Sequence, residues 1–169
     1  MKYLKKFYKL NEKQNSPTEF DTKSVEQVDM IFHDFAEDNN FYKFKWSVAE
    51  YPLEEGVHWT FLSWIEFKNQ GDRKTKLDRR IIEDMLENKY FHIIIYVNEK
   101  LEPGIEVPHW RDRKVRHFKP YNDVVKKVET ELIPQLESYG YKVELSPSSM
   151  SSGDIYTHEI SLKIDYSDT

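Results

Sequence analysis

The stretch FHIIIYV, residues 91–97, carries no charged side chain. It is short and rich in β-branched residues, so it reads as a strand buried on both faces. A strand of that kind needs a neighbouring strand on each side and side chains packed above and below it. It therefore asks for the middle of a sheet. The run is far too short for a membrane span, which needs about 20 apolar residues.

The flanking sequence supplies the other elements. Val25, Val28, Ile31, Phe32 and Phe35 recur at three and four, which predicts a helix over 23–37, with Ser24 and Gln27 as a capping box and Asn39-Asn40 as its end. Tyr42, Phe44, Trp46 and Val48 then alternate with polar residues, and 58–67 is a second strand, so 41–67 is expected to form a β-hairpin with a long loop. Leu77, Ile81 and Met85 mark a helix over 76–89. A third helix is expected over 122–139, capped by Asn122, kinked or divided by Pro134, and stopped by Gly140. Strands at 141–145 and 155–166 close the chain, with the Ser-rich stretch 146–154 as a flexible loop. On the last strand Tyr156, His158, Ile160, Leu162, Ile164 and Tyr166 share a face. The expected fold is α+β: a single mixed, mostly antiparallel five-stranded sheet with three helices on one face, in the order α-ββ-α-β-α-ββ. Residues 22–169 would form this domain, preceded by an amphipathic, basic segment and linker at 1–21.

Composition narrows the chemistry. Aromatics reach 15% of 169 residues, which suits a ring-rich core. The chain has no cysteine, so disulfides, thiolate metal sites and Cys nucleophiles are excluded, and a reducing cytoplasm is the expected location. Five glycines form no phosphate-binding loop. The six histidines include no helical i, i+4 pair, and no metal or cofactor is expected. Asp78, Glu83, Asp84 and Glu87 alternate with Lys76, Arg79 and Arg80 and read as a solvated helix face.

Residues 109–120, HWRDRKVRHFKP, stand out against a formal net charge of −5. Arg111, Arg113, Lys114, Arg116 and Lys119 set five positive charges against Asp112, a local net of +4, beside Trp110, Phe118 and His109. Guanidinium forks bind phosphate in a bidentate way, and aromatic rings stack on bases. The segment lies within a stretch, 99–120, that has neither helical nor strand period, and so long a connection is usually functional or mobile. It reads as an anion-binding loop for nucleic acid or an acidic protein surface. The bland alternative is a solvated loop neutralised by the protein's own carboxylates, of which Glu99, Glu102 and Glu106 lie close in sequence.

His58-Trp59-Thr60 looks like one half of the two-histidine phosphoesterase signature, in which two His-x-Thr/Ser strand motifs face each other across a cleft. The resemblance implies His58 and His158 as general base and general acid on a phosphodiester, with Thr60 beside the first. The second half departs from the pattern, because His158 and Ser161 are three apart and fall on opposite faces of a strand. Strand histidines in ordinary half-buried settings are the competing explanation.

The N-terminal dozen, MKYLKKFYKLNE, resembles the peptides that direct internal proteins of large tailed phages into the prohead, where a protease cuts after a Glu. Leu4, Phe7, Leu10 and Glu12 match; Tyr8 and Lys9 stand where acidic residues usually follow the Phe. The resemblance implies a phage protein packaged in or associated with the capsid. An ordinary docking helix or edge strand would use the same residues. The sequence as a whole reads as a binding or interaction protein without enzymatic activity, with the phosphodiesterase and a virion assembly protein as alternatives. No membrane partner is expected.

Overall fold

The computed structural model describes residues 22–44, 52, 54–63, 76–100, 119–152 and 155–169. The elements are α1 (Thr22–Asp38), β1 (Tyr42–Lys43), β2 (Gly56–Leu62), α2 (Lys76–Glu87), β3 (Tyr90–Lys100), α3 (Lys119–Lys127), a π-helical turn (Val128–Leu132), α4 (Ile133–Ser138), β4 (Lys142–Ser152) and β5 (Ile155–Asp165). They form an α+β fold around one mixed sheet of order β1-β2-β3-β5-β4. The apolar run falls on β3, the middle strand, antiparallel to β2 on one side and to β5 on the other.

Strand alternation divides β3 into two sets. Phe91, Ile93, Ile95 and Val97 face the main core, where Trp59 and Phe61 of β2 and Ile160, Leu162 and Ile164 of β5 line up with them. Two helical layers cover this face. One is the stripe Val25, Val28, Ile31, Phe32 and Phe35 of α1; the other runs from Tyr121 and Val124 through Val128 to Leu132 and Leu136. Tyr90, His92, Ile94, Tyr96 and Asn98 point the other way. There α2 differs from its two companions: Ile82 and Met85 pack with Leu62, Tyr90 and Ile94, side chains of the second face. The expectation of three helices on one face is therefore corrected: two cover the main core and α2 covers the other face, because β3 is apolar on both sides and needs cover on each.

Pro134 shapes the third helix as its chemistry requires. In a regular α-helix it would lack the bond to Thr130 and clash with that turn. Instead the chain widens into a π turn, the Ile133 N–H donating to the Val128 carbonyl, and resumes as α4 with Pro134 in its first turn. The helix begins at Lys119, so Asn122 lies inside it and is not its cap, and Pro120 occupies the first turn, where a missing N–H is harmless. Likewise α1 starts at Thr22, which leaves Ser24 helical and buried rather than capping. Asn40 (φ 57°) and Gly140 (φ 93°) end their helices in the left-handed conformation.

Two strand expectations are corrected. The described pairing of Tyr42–Lys43 with His58–Trp59 is parallel, so 41–67 is not a hairpin. More than ten residues separate β1 from β2, room enough to return the chain in its original direction, as parallel pairing requires. The Ser-rich stretch is not all loop: β4 continues to Ser152, which pairs with Ile155 across a two-residue connection. Ser and Pro147 are tolerated because β4 is an edge strand with one side unpaired.

Candidate functional site

The loop residues His109, Trp110, Arg111, Arg113, Lys114, Arg116 and Phe118 lie outside the described residues, as do Leu4, Phe7, Leu10 and Glu12. Lys119 is the first residue of α3. What the structure describes are the residues that flank 101–118, on β3 and in the first turn of α3. On the sheet side, Asn98 is buried two residues before the end of β3. Its Nδ2 donates to the carbonyls of Pro52 (2.7 Å) and Glu54 (2.9 Å), and its Oδ1 accepts from Thr157 Oγ1 (2.9 Å). His58 Nε2–H donates to the same Glu54 carbonyl at 3.1 Å. Every hydrogen-bonding atom of the Asn98 amide is thereby used. On the helix side, Tyr121 in the first turn of α3 lies against His158, ring centroids 4.9 Å apart, and Tyr156 packs on the same imidazole. His158 pairs with Val97 and Thr157 with Asn98, so Asn98 and Tyr121 lie at one end of the sheet. Burial raises the Tyr121 phenol above its ordinary pKa, in keeping with a ring that serves as packing.

The same register separates the two histidines proposed as an acid–base pair. His58 pairs with Tyr96, and Tyr96 with Glu159; His158 pairs with Val97, and Val97 with Val57. A step of one residue is a change of face, so His58 and Thr60 lie on the second face and His158 on the helix-covered one. Both histidines are buried, at 6% and 1% exposure. No single phosphodiester can bridge them, and the two-histidine phosphodiesterase is excluded by this geometry.

A different set of polar side chains is brought together beneath α2. An open depression of ≈ 380 Å³ has Leu62, Ile81 and Ile94 as its apolar lining and Arg80, Asp84, Tyr90, His92 and Ser161 as its polar one. The Tyr90 hydroxyl donates to Asp84 Oδ2, and Asn88 Nδ2 donates to Asp84 Oδ1 at 2.8 Å. Asp84 is exposed, as expected of a solvated helix face, and its carboxylate is also bound by two partners. Burial, with the Asp84 carboxylate beside it, holds the Tyr90 phenol well above the usual range. His92 Nδ1 lies 3.2 Å from Ser161 Oγ. Burial, reinforced by Lys163, lowers the His92 pKa, Asp84 opposing in part, so the ring is neutral at pH 7.

This His–Ser contact has the spacing of a nucleophile and its base, but the strand context withholds the rest. β5 is paired on both sides, with β3 and with β4, so the backbone N–H groups around Ser161 are committed to the sheet and cannot form an oxyanion hole. The arrangement can bind; it does not assemble acyl-transfer chemistry. The sequence held one signal for it. Tyr90, His92 and Ser161 occupy alternate positions of apolar strands, but an apolar run reads as core and the polar members pass unnoticed. No group of acidic and histidine side chains able to hold a metal ion occurs among the described residues, and none of their helices is long and apolar enough to cross a membrane.

No family model, curated protein or solved structure matches this chain, so the site is read from its own residues.

The His92 environment makes a pH prediction. The folded chain holds the His92 proton less readily than the unfolded chain does. Stability is therefore expected to fall as pH drops below the ordinary histidine value of about 6.5 and to keep falling until the depressed folded value is passed. Comparing thermal midpoints at pH 7.5 and 5, the loss should be smaller in His92→Gln than in the parent chain. An equal loss in both would show that His92 is not what titrates.

Proposed function

We propose that this chain is a non-enzymatic binding protein whose basic, aromatic segment 109–119 contacts the phosphates and bases of nucleic acid. The observation that carries the reading is five cations and two large rings gathered within residues 109–120 of a chain whose net charge is −5. The flanking residues support it. The described residues on either side of 101–118, Asn98 bonded to Thr157 and Tyr121 packed against His158, belong to the buried end of the sheet, and binding loops are commonly carried on such a rigid base. Arg111, Arg113, Lys114 and Arg116 would supply charge, with His109 and Lys119 beside them, and Trp110 and Phe118 would stack. Leu4, Phe7, Leu10 and Glu12 would form a docking or targeting element, which fits a phage-encoded protein acting in the host cytoplasm or carried in the virion.

The test is binding of fluorescent single-stranded and duplex oligonucleotides across a salt series. Replacing Arg111, Arg113, Lys114 and Arg116 with Ser should lower the single-strand salt slope by about 3, roughly 0.7 for each lost phosphate contact. An unchanged slope would remove the loop from the interface. Absence of binding by the parent chain would end the nucleic-acid reading and leave an acidic protein surface, or capsid subunits, as the partner to seek by pull-down.

A further inference from the structure

We propose that the depression between α2 and the second face of the sheet is a binding site for a small organic monoanion, a carboxylate carried on a flat apolar body. The inference is independent of segment 109–119. It begins from size and lining. A space of ≈ 380 Å³ floored by Leu62, Ile81 and Ile94 is within the range of small-molecule sites, which are mostly apolar with a few convergent polar groups. One aromatic ring would cover those aliphatic side chains and take them out of water.

The sign of the ligand follows from which hydrogen-bonding groups are already used. The one carboxylate in the lining, Asp84, has a donor on each oxygen, from Tyr90 and from Asn88. The Tyr90 hydroxyl proton is spent in that contact. Arg80, on the same helix face four residues earlier, makes no ion pair or hydrogen bond among the described residues and lines the same space. The His92–Ser161 pair uses one proton between its two facing atoms, and a neutral imidazole and a hydroxyl together carry two. The lining therefore has donors to spare and no uncommitted carboxylate. A ligand that supplies acceptors completes it, and a carboxylate matches the guanidinium fork. Around this lining stand Lys163, whose Nζ lies 4.9 Å from the Tyr90 ring centroid, and Glu144, 3.9 Å from that ammonium. They offset one another, and Asp84 keeps its charge but turns its oxygens to Tyr90 and Asn88, so Arg80 is the charged lining group with hydrogen-bonding capacity left for a ligand.

The experiment uses the full-length, isotope-labelled chain and three probes of one shape: benzoate, benzamide and benzamidine, titrated while the amide resonances of residues 90–94 and 159–163 are followed. Benzoate is expected to shift them saturably, with a dissociation constant on the order of 1 mM, as suits so small a ligand. Benzamide should bind at least about fivefold more weakly and benzamidine should not shift these resonances. Arg80→Gln should weaken benzoate about tenfold, the scale of a charge-assisted hydrogen bond. Arg79→Gln removes the same charge from the neighbouring position outside the depression and should leave benzoate affinity within about twofold. Equal binding of benzoate and benzamide would overturn the proposal, as would preference for benzamidine or equal loss in both arginine variants. No shift with any probe would do the same.

Discussion

Asn98→Asp is expected to destabilise the fold by about 3–5 kcal/mol, the range for a buried charge left facing the wrong partners. For a chain of this size that lowers the thermal midpoint by roughly 10 °C. The change is nearly isosteric, so packing is not the cause. In the native protein Nδ2 gives one proton to the Pro52 carbonyl and the other to the Glu54 carbonyl, at 2% exposure. A carboxylate puts oxygen lone pairs against those two carbonyls, takes the Asn98 donor from Pro52 and leaves Glu54 with His58 alone. Thr157 Oγ1 can still donate to the remaining oxygen, which recovers one bond of three. Burial would raise the pKa of the introduced carboxyl, and the protonated form can donate to one carbonyl. The gap between variant and parent should therefore narrow as pH is lowered from 7 toward 4. Asn98→Ala removes the same donors without adding charge and should cost less, about 2–3 kcal/mol. Denaturant midpoints of the three chains, at both pH values, decide the matter. Equal destabilisation by Asp and Ala, with no pH dependence, would mean that the direction of the hydrogen bonds is immaterial and that the clamp is not what holds the sheet end from which segment 101–118 departs.

How much of this was legible beforehand differs by interaction range. The periodic stripe of α1 and the doubly buried run of β3 are local patterns, and the helix, the strand and its central place follow from them directly. Pro134 is local as well: its missing N–H predicts a break, and the π turn is the form the break takes. Asn98 is not local. Nothing in the sequence Val97-Asn98-Glu99 says that two carbonyls more than 40 residues earlier and a threonine 59 residues later converge on one amide. The depression beneath α2 is illegible for the same reason. It joins Asp84 to Tyr90 over six residues but His92 to Ser161 over 69, and only strand register brings the second pair together. Register also decides the fate of the histidine motif. His58 and His158 satisfy a residue pattern, yet a one-residue offset across β3 sends them to opposite faces, and no inspection of either motif alone could show it. Parallel pairing of β1 is illegible in the sequence because alternation marks a strand without giving its direction.

Trp59→Ala should weaken the fold by a comparable amount, about 3–5 kcal/mol, through loss of buried surface rather than loss of hydrogen bonds. Trp59 is 2% exposed and sits where α1 meets the sheet, its ring centroid 4.7 Å from that of Phe32. Lys43 Nζ stands 4.9 Å from the same ring and 3.7 Å from Asp29 Oδ1 on α1. The indole therefore fills the space between two layers, while the cation over it is half exposed and worth little, about 0.5–1 kcal/mol. Lys43→Ala should accordingly lower stability by no more than that, and Trp59→Phe, which keeps a ring, by about 1–2 kcal/mol. Urea unfolding with an unchanged slope would assign these differences to the native state. Because Trp59 and the α2 depression lie on opposite faces of one sheet, the two should behave as separate sites. In the absence of denaturant the folded Trp59→Ala chain should bind benzoate as the parent does, whereas Arg80→Gln should bind it about tenfold more weakly with its midpoint unmoved. If Trp59→Ala abolished benzoate binding while the protein remained folded, the two faces would be coupled through β2 and β3, and the sheet could not be regarded as a rigid partition between its core and its site.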